Sequence, residues 1–206
     1  MAAGTTRIFL LSPARASGAR AGMLLREEAA FELAVRLRAG QASVGELFAF
    51  ASGLYFRGKL AYARAFARPA SQAGVWVMAP GLGLIPAEAT LTREALRAMG
   101  EVAVEAGNPA FRRPLERDAQ VLAQSLPQAA QVVLLGSIAS PKYVDPLLAT
   151  FGARLHFPLA FVGRGDMSRG GLLLRCVREA RELDYGPVAG APRRGRRPPK
   201  LPPLRP

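Results

Sequence analysis

Four short apolar runs, separated by amphipathic segments, most constrain what this chain can fold into. Each run is apolar on both faces, which is the pattern of strands buried between two layers of helices. The segments between the runs have helical periodicity, so strands and helices are expected to alternate along the chain. The predicted strands are RIFLL (7–11), VWVMA (75–79), QVVLL (131–135) and LAFV (159–162).

This alternation predicts a single α/β domain over residues 1–185. We expect three layers, with a mostly parallel central sheet of about four to five strands flanked by helices. Half of the 206 residues are hydrophobic, which is enough to form a core. Residues 186–206 hold seven prolines and six basic residues without an acidic one, which predicts a disordered, basic, Pro-rich tail.

Several protein classes are disfavoured by what the sequence lacks. No apolar run approaches the roughly 18 residues that a membrane helix needs, and the N-terminus has no charged start of a signal peptide. One cysteine, Cys176, and one histidine, His156, give neither a disulfide framework nor a multi-cysteine zinc site. The loop PGLGLIP lacks the third glycine of a dinucleotide fingerprint, and no Walker A lysine follows. We therefore expect a cytoplasmic protein with no cofactor, no metal and no membrane partner.

The net charge of +13 leaves two interpretations open. Six of the basic residues lie in the tail, so the rest of the chain carries about +7. Such a field attracts phosphate-bearing small molecules or nucleic acids. However, only three of the 28 basic residues are lysines and alanine is abundant, a bias that a GC-rich genome also produces.

Loops rich in glycine, serine and proline follow the predicted strands. The carboxyl ends of parallel strands share one edge of a sheet, where loops lead into helix N-termini that favour anions. Gly81, Gly83 and Gly136 would let the backbone approach a ligand, or would only form tight turns. Ser12 and Ser137 would place hydroxyls at two strand ends. The loops are 12–22, 80–86, 136–143 and 163–171.

Lys142 and Tyr143 stand out in the third of these loops. Lys142 is predicted in the first turn of a helix that Ser140 caps, where a cation opposes the helix dipole. Binding of a phosphate or carboxylate would explain the lysine, and simple solvent exposure is the alternative. Tyr143 would stack on a base or pack into the core.

The fourth loop, GRGDMSRGG, combines two arginines with an aspartate. Arg164 and Arg169 can form bidentate bonds to phosphate. Ser168 is predicted to cap the last helix, so that backbone N–H groups point into the same space. Asp166 is the candidate catalytic residue, as a general base, and a structural salt bridge to an arginine is the alternative.

The order of these motifs resembles a known group of proteins. FLLSPA, APGLGLIPAE, VVLLGSIASPKYVDPLL and FPLAFVGRGDMSRGG follow one another over residues 7–171. In this order the chain resembles uncharacterised bacterial α/β proteins related to the uracil-DNA-glycosylase-like domain of archaeosine synthase and similar tRNA-modification proteins. The resemblance implies an α/β fold and a nucleobase-related ligand. The cysteine and lysine often seen after the first strand of such proteins are replaced here by SPARASGAR, so no catalytic residue is transferred.

The sequence leads to one main hypothesis and two alternatives. The chain is predicted to bind or process a nucleotide, nucleobase or nucleic acid at the carboxyl edge of its sheet. The first alternative is a non-catalytic nucleic-acid-binding or accessory protein. The second is an interaction protein whose tail segment PPKLPPLRP recruits a protein partner. Whether the chain is an enzyme is left open.

Overall fold

The predicted α/β domain is confirmed, with helices around a mixed six-stranded sheet, in a computed structural model that describes residues 5–199 and 201. The strands within these residues are β1 Arg7–Leu11, β2 Ala42–Ser43, β3 Val75–Ala79, β4 Gly83–Pro86, β5 Thr90–Leu91, β6 Gln131–Leu135, β7 Leu155–Pro158 and β8 Tyr185–Pro187. The α-helices are α1 Ala19–Leu25, α2 Glu32–Arg38, α3 Val44–Ser52, α4 Leu54–Phe66, α5 Arg93–Glu101, α6 Pro109–Ser125, α7 Pro141–Phe151 and α8 Asp166–Arg178.

The six strands of the sheet lie in the order β4-β3-β1-β6-β7-β8. Strands β3, β1, β6 and β7 run parallel, while β4 and β8 pair antiparallel at the two edges. The carboxyl ends of the four parallel strands therefore meet at one edge of the sheet. A separate two-stranded ribbon joins β2 and β5.

Alternate residues of each central strand enter two different cores. Phe9 and Leu11 of β1 pack with helices α3, α4 and α8 on one face. Ile8 and Leu10 pack with α6 and α7 on the other face. Both faces of the sheet are covered, which accounts for the doubly apolar strands and confirms the three layers. None of the helices in the described part of the chain combines the length and the apolar character that a membrane crossing requires.

The strand predictions for β1, β3 and β6 match the structure, but the fourth prediction is wrong. The strand β7 ends at Pro158, and Leu159–Phe161 form a 3-10 turn in place of the strand predicted over 159–162. Leu159 remains 51% exposed, so its apolar character did not mark a buried strand. The edge strands β4 (GLIP) and β8 (YGP) were missed because glycine and proline in a short segment indicate a turn.

Helix α4 is positioned by its two helical neighbours. A capping box is present at α3, where the Ser43 side chain accepts from the Glu46 N–H and Glu46 accepts from the Ser43 N–H. Gly53, with φ of +63°, separates α3 from α4. Further on, Gly58 and Gly170 bring α4 against α8. A Cβ at Gly58 would lie 2.7 Å from the Gly170 carbonyl oxygen, so no larger residue fits without moving a helix.

The C-terminal segment differs from the predicted tail at its start. Gly186 and Pro187 belong to β8, which pairs with β7, so regular structure continues past the boundary predicted at 186. The segment that follows has no helix or strand through residue 199. It contacts the body, since Arg193 pairs with Asp145 and the Pro199 carbonyl accepts from Arg164. Most of the predicted PPKLPPLRP ligand, residues 200 and 202–206, lies outside the described residues.

Candidate functional site

A cleft of about 780 Å3 opens at the edge of the sheet where the parallel strands end. This volume lies in the range of roughly 300–1,000 Å3 that is usual for small-molecule sites. We call it the edge cleft. Its lining comes from the loop after β1, helices α4 and α5, the β6–α7 loop and the start of α8. The site residues predicted from sequence that line it are Ser12, Ser137, Lys142, Tyr143 and Asp166.

The β6–α7 loop supplies Ser137, Lys142 and Tyr143. Pro141 begins α7, so Lys142 is in its first turn as predicted, although Ser140 makes no side-chain capping bond. Tyr143 is 4% exposed, and its hydroxyl accepts from the Ser137 N–H at 3.2 Å. Burial raises the pKa of Tyr143, so it stays a neutral hydroxyl on the cleft wall. The core position predicted as one alternative for Tyr143 is therefore combined with a place in the cleft.

Gly136 supports this loop from behind the cleft. A Cβ at Gly136 would lie 2.9 Å from the Cβ of Ser12. The glycine thus lets the end of β6 approach the end of β1, where the Ser12 N–H donates to the Leu135 carbonyl at 3.2 Å. Gly136 shapes the edge without itself lining the cleft.

Lys59, which the sequence analysis did not single out, lies on the wall of the edge cleft. The residue is 1% exposed, and its Nζ donates to the Ser12 carbonyl oxygen at 2.6 Å. The same Nζ lies 2.9 Å from Ser12 Oγ and 4.7 Å from the ring centroids of Tyr55 and Phe56. Burial lowers the pKa of Lys59 to about 7, although Asp166 opposes the change. The cleft therefore contains an amine of which a substantial fraction is neutral at pH 7.

Tyr55 lies next to this lysine on α4. The residue is 8% exposed, and its hydroxyl finds no hydrogen-bond partner among the described residues. Burial raises the pKa of Tyr55, and the nearby Arg169 guanidinium only partly opposes it. The side chain therefore keeps its proton, and a buried hydroxyl without an acceptor is a donor available to a ligand.

Asp166 and Arg169 form a pair at the start of α8. The carboxylate of Asp166 is 68% exposed, and Arg169 Nη1 lies 3.4 Å from its Oδ1. The rest of the Arg169 guanidinium is buried, with Nη2 donating to the Phe161 carbonyl at 3.1 Å. Arg169 is thus held by the protein and does not line the cleft, whereas Asp166 lies at its surface. The ion pair predicted as the alternative for Asp166 is present.

Arg164 and Ser168 lie outside the edge cleft. Arg164 donates to the Ala160 carbonyl, to Ser168 Oγ and to the Pro199 carbonyl, so its side chain is turned toward the C-terminal segment. Ser168 does not cap α8 as predicted. The helix begins at Asp166, two residues before Ser168. Gly165, whose backbone is extended, occupies the capping position.

Gly81 and Gly83 also lie outside the edge cleft. They form the tight hairpin between β3 and β4, with φ of +80° and +94° respectively. A Cβ at Gly83 would overlap the carboxylate of Asp118, whose Oδ2 accepts from the Leu84 N–H. The turn that was predicted as the alternative for these glycines is therefore what the structure contains. Gly81 instead borders a second, open groove of about 610 Å3 between α5 and α6.

The edge cleft is rich in hydroxyl groups and mixed in charge. Its basic side chains make no ion pair with any described residue. The basic and the acidic side chains of the lining come from different helices and loops. In the described part of the chain, no three histidine, cysteine or carboxylate side chains are grouped to hold a metal ion. The basic groups are Arg15, Lys59 and Lys142, the acids are Glu101, Glu105 and Asp166, and the serines are Ser12, Ser17, Ser52, Ser137 and Ser140.

No family model matches the chain, and no curated protein or solved structure is significantly similar to it. The site is therefore interpreted from its own geometry.

Proposed function

We propose that this protein binds a nucleotide, or a nucleotide at a nucleic-acid end, in the edge cleft. The observation that carries the proposal is the presence of two cations, Arg15 and Lys142, beside serine hydroxyls at the carboxyl ends of β1 and β6. Neither cation forms an ion pair with a described residue. Phosphate oxygens accept hydrogen bonds from cations and hydroxyls of this kind, and such strand ends are where α/β sheets usually bind ligands.

The other half of the ligand is suited to the remaining lining. Ribose hydroxyls and base amino groups are donors. The carboxylates of Glu101, at the end of α5, and of Glu105, in the segment after it, are acceptors. Tyr143 lines the cleft near the same cation, with Lys142 Nζ 5.8 Å from its ring centroid. Asp166 keeps the role proposed from sequence, to orient the ligand or to exchange a proton with it. The resemblance to nucleobase-handling domains points to the same class of ligand.

Calorimetric titration of the full chain with the four ribonucleoside monophosphates, the matching nucleosides and inorganic phosphate tests the proposal. We expect at least one nucleotide to bind, and Lys142→Gln to weaken it about tenfold by removing a charged hydrogen bond. Arg57→Gln is the matched control, because Arg57 is an exposed cation on α4 outside the cleft. Its affinity should equal that of the wild type.

Two outcomes would overturn this assignment. One is the absence of binding for every mononucleotide and for short oligonucleotides alike. The other is binding that Lys142→Gln leaves unchanged. Binding restricted to oligonucleotides, steeply weakened by salt and insensitive to Lys142→Gln, would instead assign recognition to the basic surface as a whole.

A further inference from the structure

The contact between Ser12 and Lys59 has the arrangement of a nucleophile and its base. Lys59 Nζ lies 2.9 Å from Ser12 Oγ, within hydrogen-bond reach for proton transfer. A second bond, from Nζ to the Ser12 carbonyl at 2.6 Å, fixes the direction of the amine. No described carboxylate accepts a hydrogen bond from Lys59, and the Asp166 carboxylate favours its charged form only through space.

Both groups are buried at the wall of the edge cleft. Lys59 is 1% exposed and Ser12 is 6% exposed, and both border the cleft. The low pKa of Lys59 leaves a substantial neutral fraction at pH 7, and only the neutral amine can accept a proton.

The hydroxyl of Tyr55 supplies a third group. It is buried beside Lys59, keeps its proton, and lacks an acceptor among the described residues. Such a donor can stabilise an oxygen that becomes negative during a reaction, because it is already positioned and already shielded from water.

We propose that Ser12 and Lys59 form a serine–lysine dyad that transfers an acyl group from an ester bound in the edge cleft. Tyr55 stabilises the oxyanion. This activity goes beyond nucleotide binding and requires no metal, oxidant or further cofactor. The proposed substrate is a carboxylic ester small enough for the cleft.

The proposed reaction balances in two steps. In the first, Ser12 Oγ bonds to the acyl carbon while its proton moves to Lys59 Nζ, and the carbonyl oxygen becomes an oxyanion that accepts from Tyr55. The ester C–O bond then breaks, and the Lys59 ammonium protonates the leaving alcohol. In the second step, water attacks the acyl-serine with Lys59 again as base. The carboxylic acid leaves, and Ser12 regains its proton.

Labelling of the full chain with a fluorophosphonate probe, followed by intact mass and peptide mapping, tests the dyad. The probe forms a P–O bond with an activated serine and releases fluoride. We expect one adduct, on Ser12. It should be lost in Ser12→Ala and formed at least about 100-fold more slowly in Lys59→Met, the scale of general-base catalysis. Ser71→Ala is the matched control, because Ser71 is an exposed serine outside the cleft, and it should label at the wild-type rate.

A pH profile of wild-type labelling guards against a folding defect in the variants. The rate should rise about tenfold from pH 6 to pH 8 as Lys59 becomes neutral. The charged or titratable groups that face the amine are Asp166 and Arg169 from α8, Tyr143 from α7 and Tyr55 from α4 itself. Tyr55 and Tyr143 have raised pKa values and stay protonated over this range.

The dyad is overturned if the wild type is not labelled, or if the adduct forms on another residue. A rate that is flat between pH 6 and pH 8, or that is unchanged in a folded Lys59→Met protein, would also overturn it. Labelling needs no nucleotide, and nucleotide titration needs no labelled serine. Failure of either proposal can therefore be told apart from failure of the other.

Discussion

Helix α4 carries two buried polar clusters, and they differ in how well their groups are paired. Toward its N-terminal half, no described carboxylate accepts a hydrogen bond from Lys59, and the Tyr55 hydroxyl has no acceptor among the described residues. Three residues past Lys59, the Tyr62 hydroxyl contacts the Tyr185 hydroxyl at 2.6 Å and accepts from the Leu183 N–H at 2.7 Å. We call these the cleft cluster and the paired cluster.

The paired cluster extends into a network of complementary charges. Glu182 accepts from Arg7, from Arg68 and from the Tyr185 hydroxyl. Buried polar groups of this kind are satisfied and stabilise the packing of α4 on β1. The cleft cluster buries polar groups that the fold itself does not satisfy. Such groups destabilise a protein, and their presence beside a cleft is what the proposed ligand site would explain.

The largest change in stability is expected at Glu182, the centre of the paired cluster. Glu182→Ala leaves Arg7 and Tyr185 without their shared acceptor in a partly buried position. We expect a loss of about 2–3 kcal/mol in the free energy of unfolding, because a polar group left without its partner keeps its desolvation cost. Urea denaturation of the wild type and the variant measures this loss. A change below about 0.5 kcal/mol would show that the network does not support the fold.

The pH dependence of the free energy of unfolding tests whether Lys59 in the cleft cluster lacks a counter-charge. Lys59 has a pKa of about 7 when folded and an ordinary value of 10.5. Between these values the unfolded chain binds the proton and the folded protein does not, so the free energy of unfolding rises with pH. The gain is fully present above about pH 10.5 and is lost as the pH falls toward 7. We expect the wild type to gain up to about 1.4 kcal/mol per pH unit relative to Lys59→Met between pH 7.5 and 9.5.

This difference isolates Lys59, because groups such as Cys176 titrate in both proteins. Denaturation midpoints at pH 7.5, 8.5 and 9.5 supply the measurement. Parallel curves for the two proteins would mean that Lys59 is charged in the folded state, and the cleft cluster would then contain a hidden counter-charge.

The smallest effect compares two tyrosines that lie seven residues apart on α4. Tyr62→Phe removes the acceptor of the Leu183 N–H and should cost about 1–2 kcal/mol. Tyr55→Phe removes a buried hydroxyl that has no described partner, and should leave stability unchanged or raise it by up to about 1 kcal/mol. Thermal unfolding of both variants gives the comparison. If both lose stability equally, the two clusters are alike and the contrast fails.

The sequence predicted much of the sheet and less of the cleft. Doubly apolar runs located β1, β3 and β6 with correct bounds, because burial on both faces leaves a strong pattern. The edge strands β4 and β8 carry glycine and proline, which indicate turns, and they are strands because they pair with a neighbour. β4 pairs with β3 across a tight hairpin, and β8 pairs with β7, which is distant in sequence. The strand predicted over 159–162 was wrong because β7 ends at Pro158 and a 3-10 turn follows it.

The sequence located several cleft residues because they directly follow the central strands. Ser12, Ser137 and Lys142 came from this rule, and all three line the edge cleft. Lys59 was missed because a lysine in an amphipathic helix normally lies on the solvent side. The signal that could have revealed it is its neighbourhood, YFRGKLAY, where a cation stands among residues of the buried face.

The close approach of Gly58 and Gly170 has a consequence for recognising proteins of the same kind. Loops generally tolerate substitution better than the elements they connect, whereas the distance between α4 and α8 depends on two positions where no side chain fits. That distance decides how Lys59 and Asp166 lie relative to each other across the cleft. A search profile that requires an aromatic residue, glycine and lysine at 55, 58 and 59, together with glycine at 170, would therefore discriminate better than the loops do.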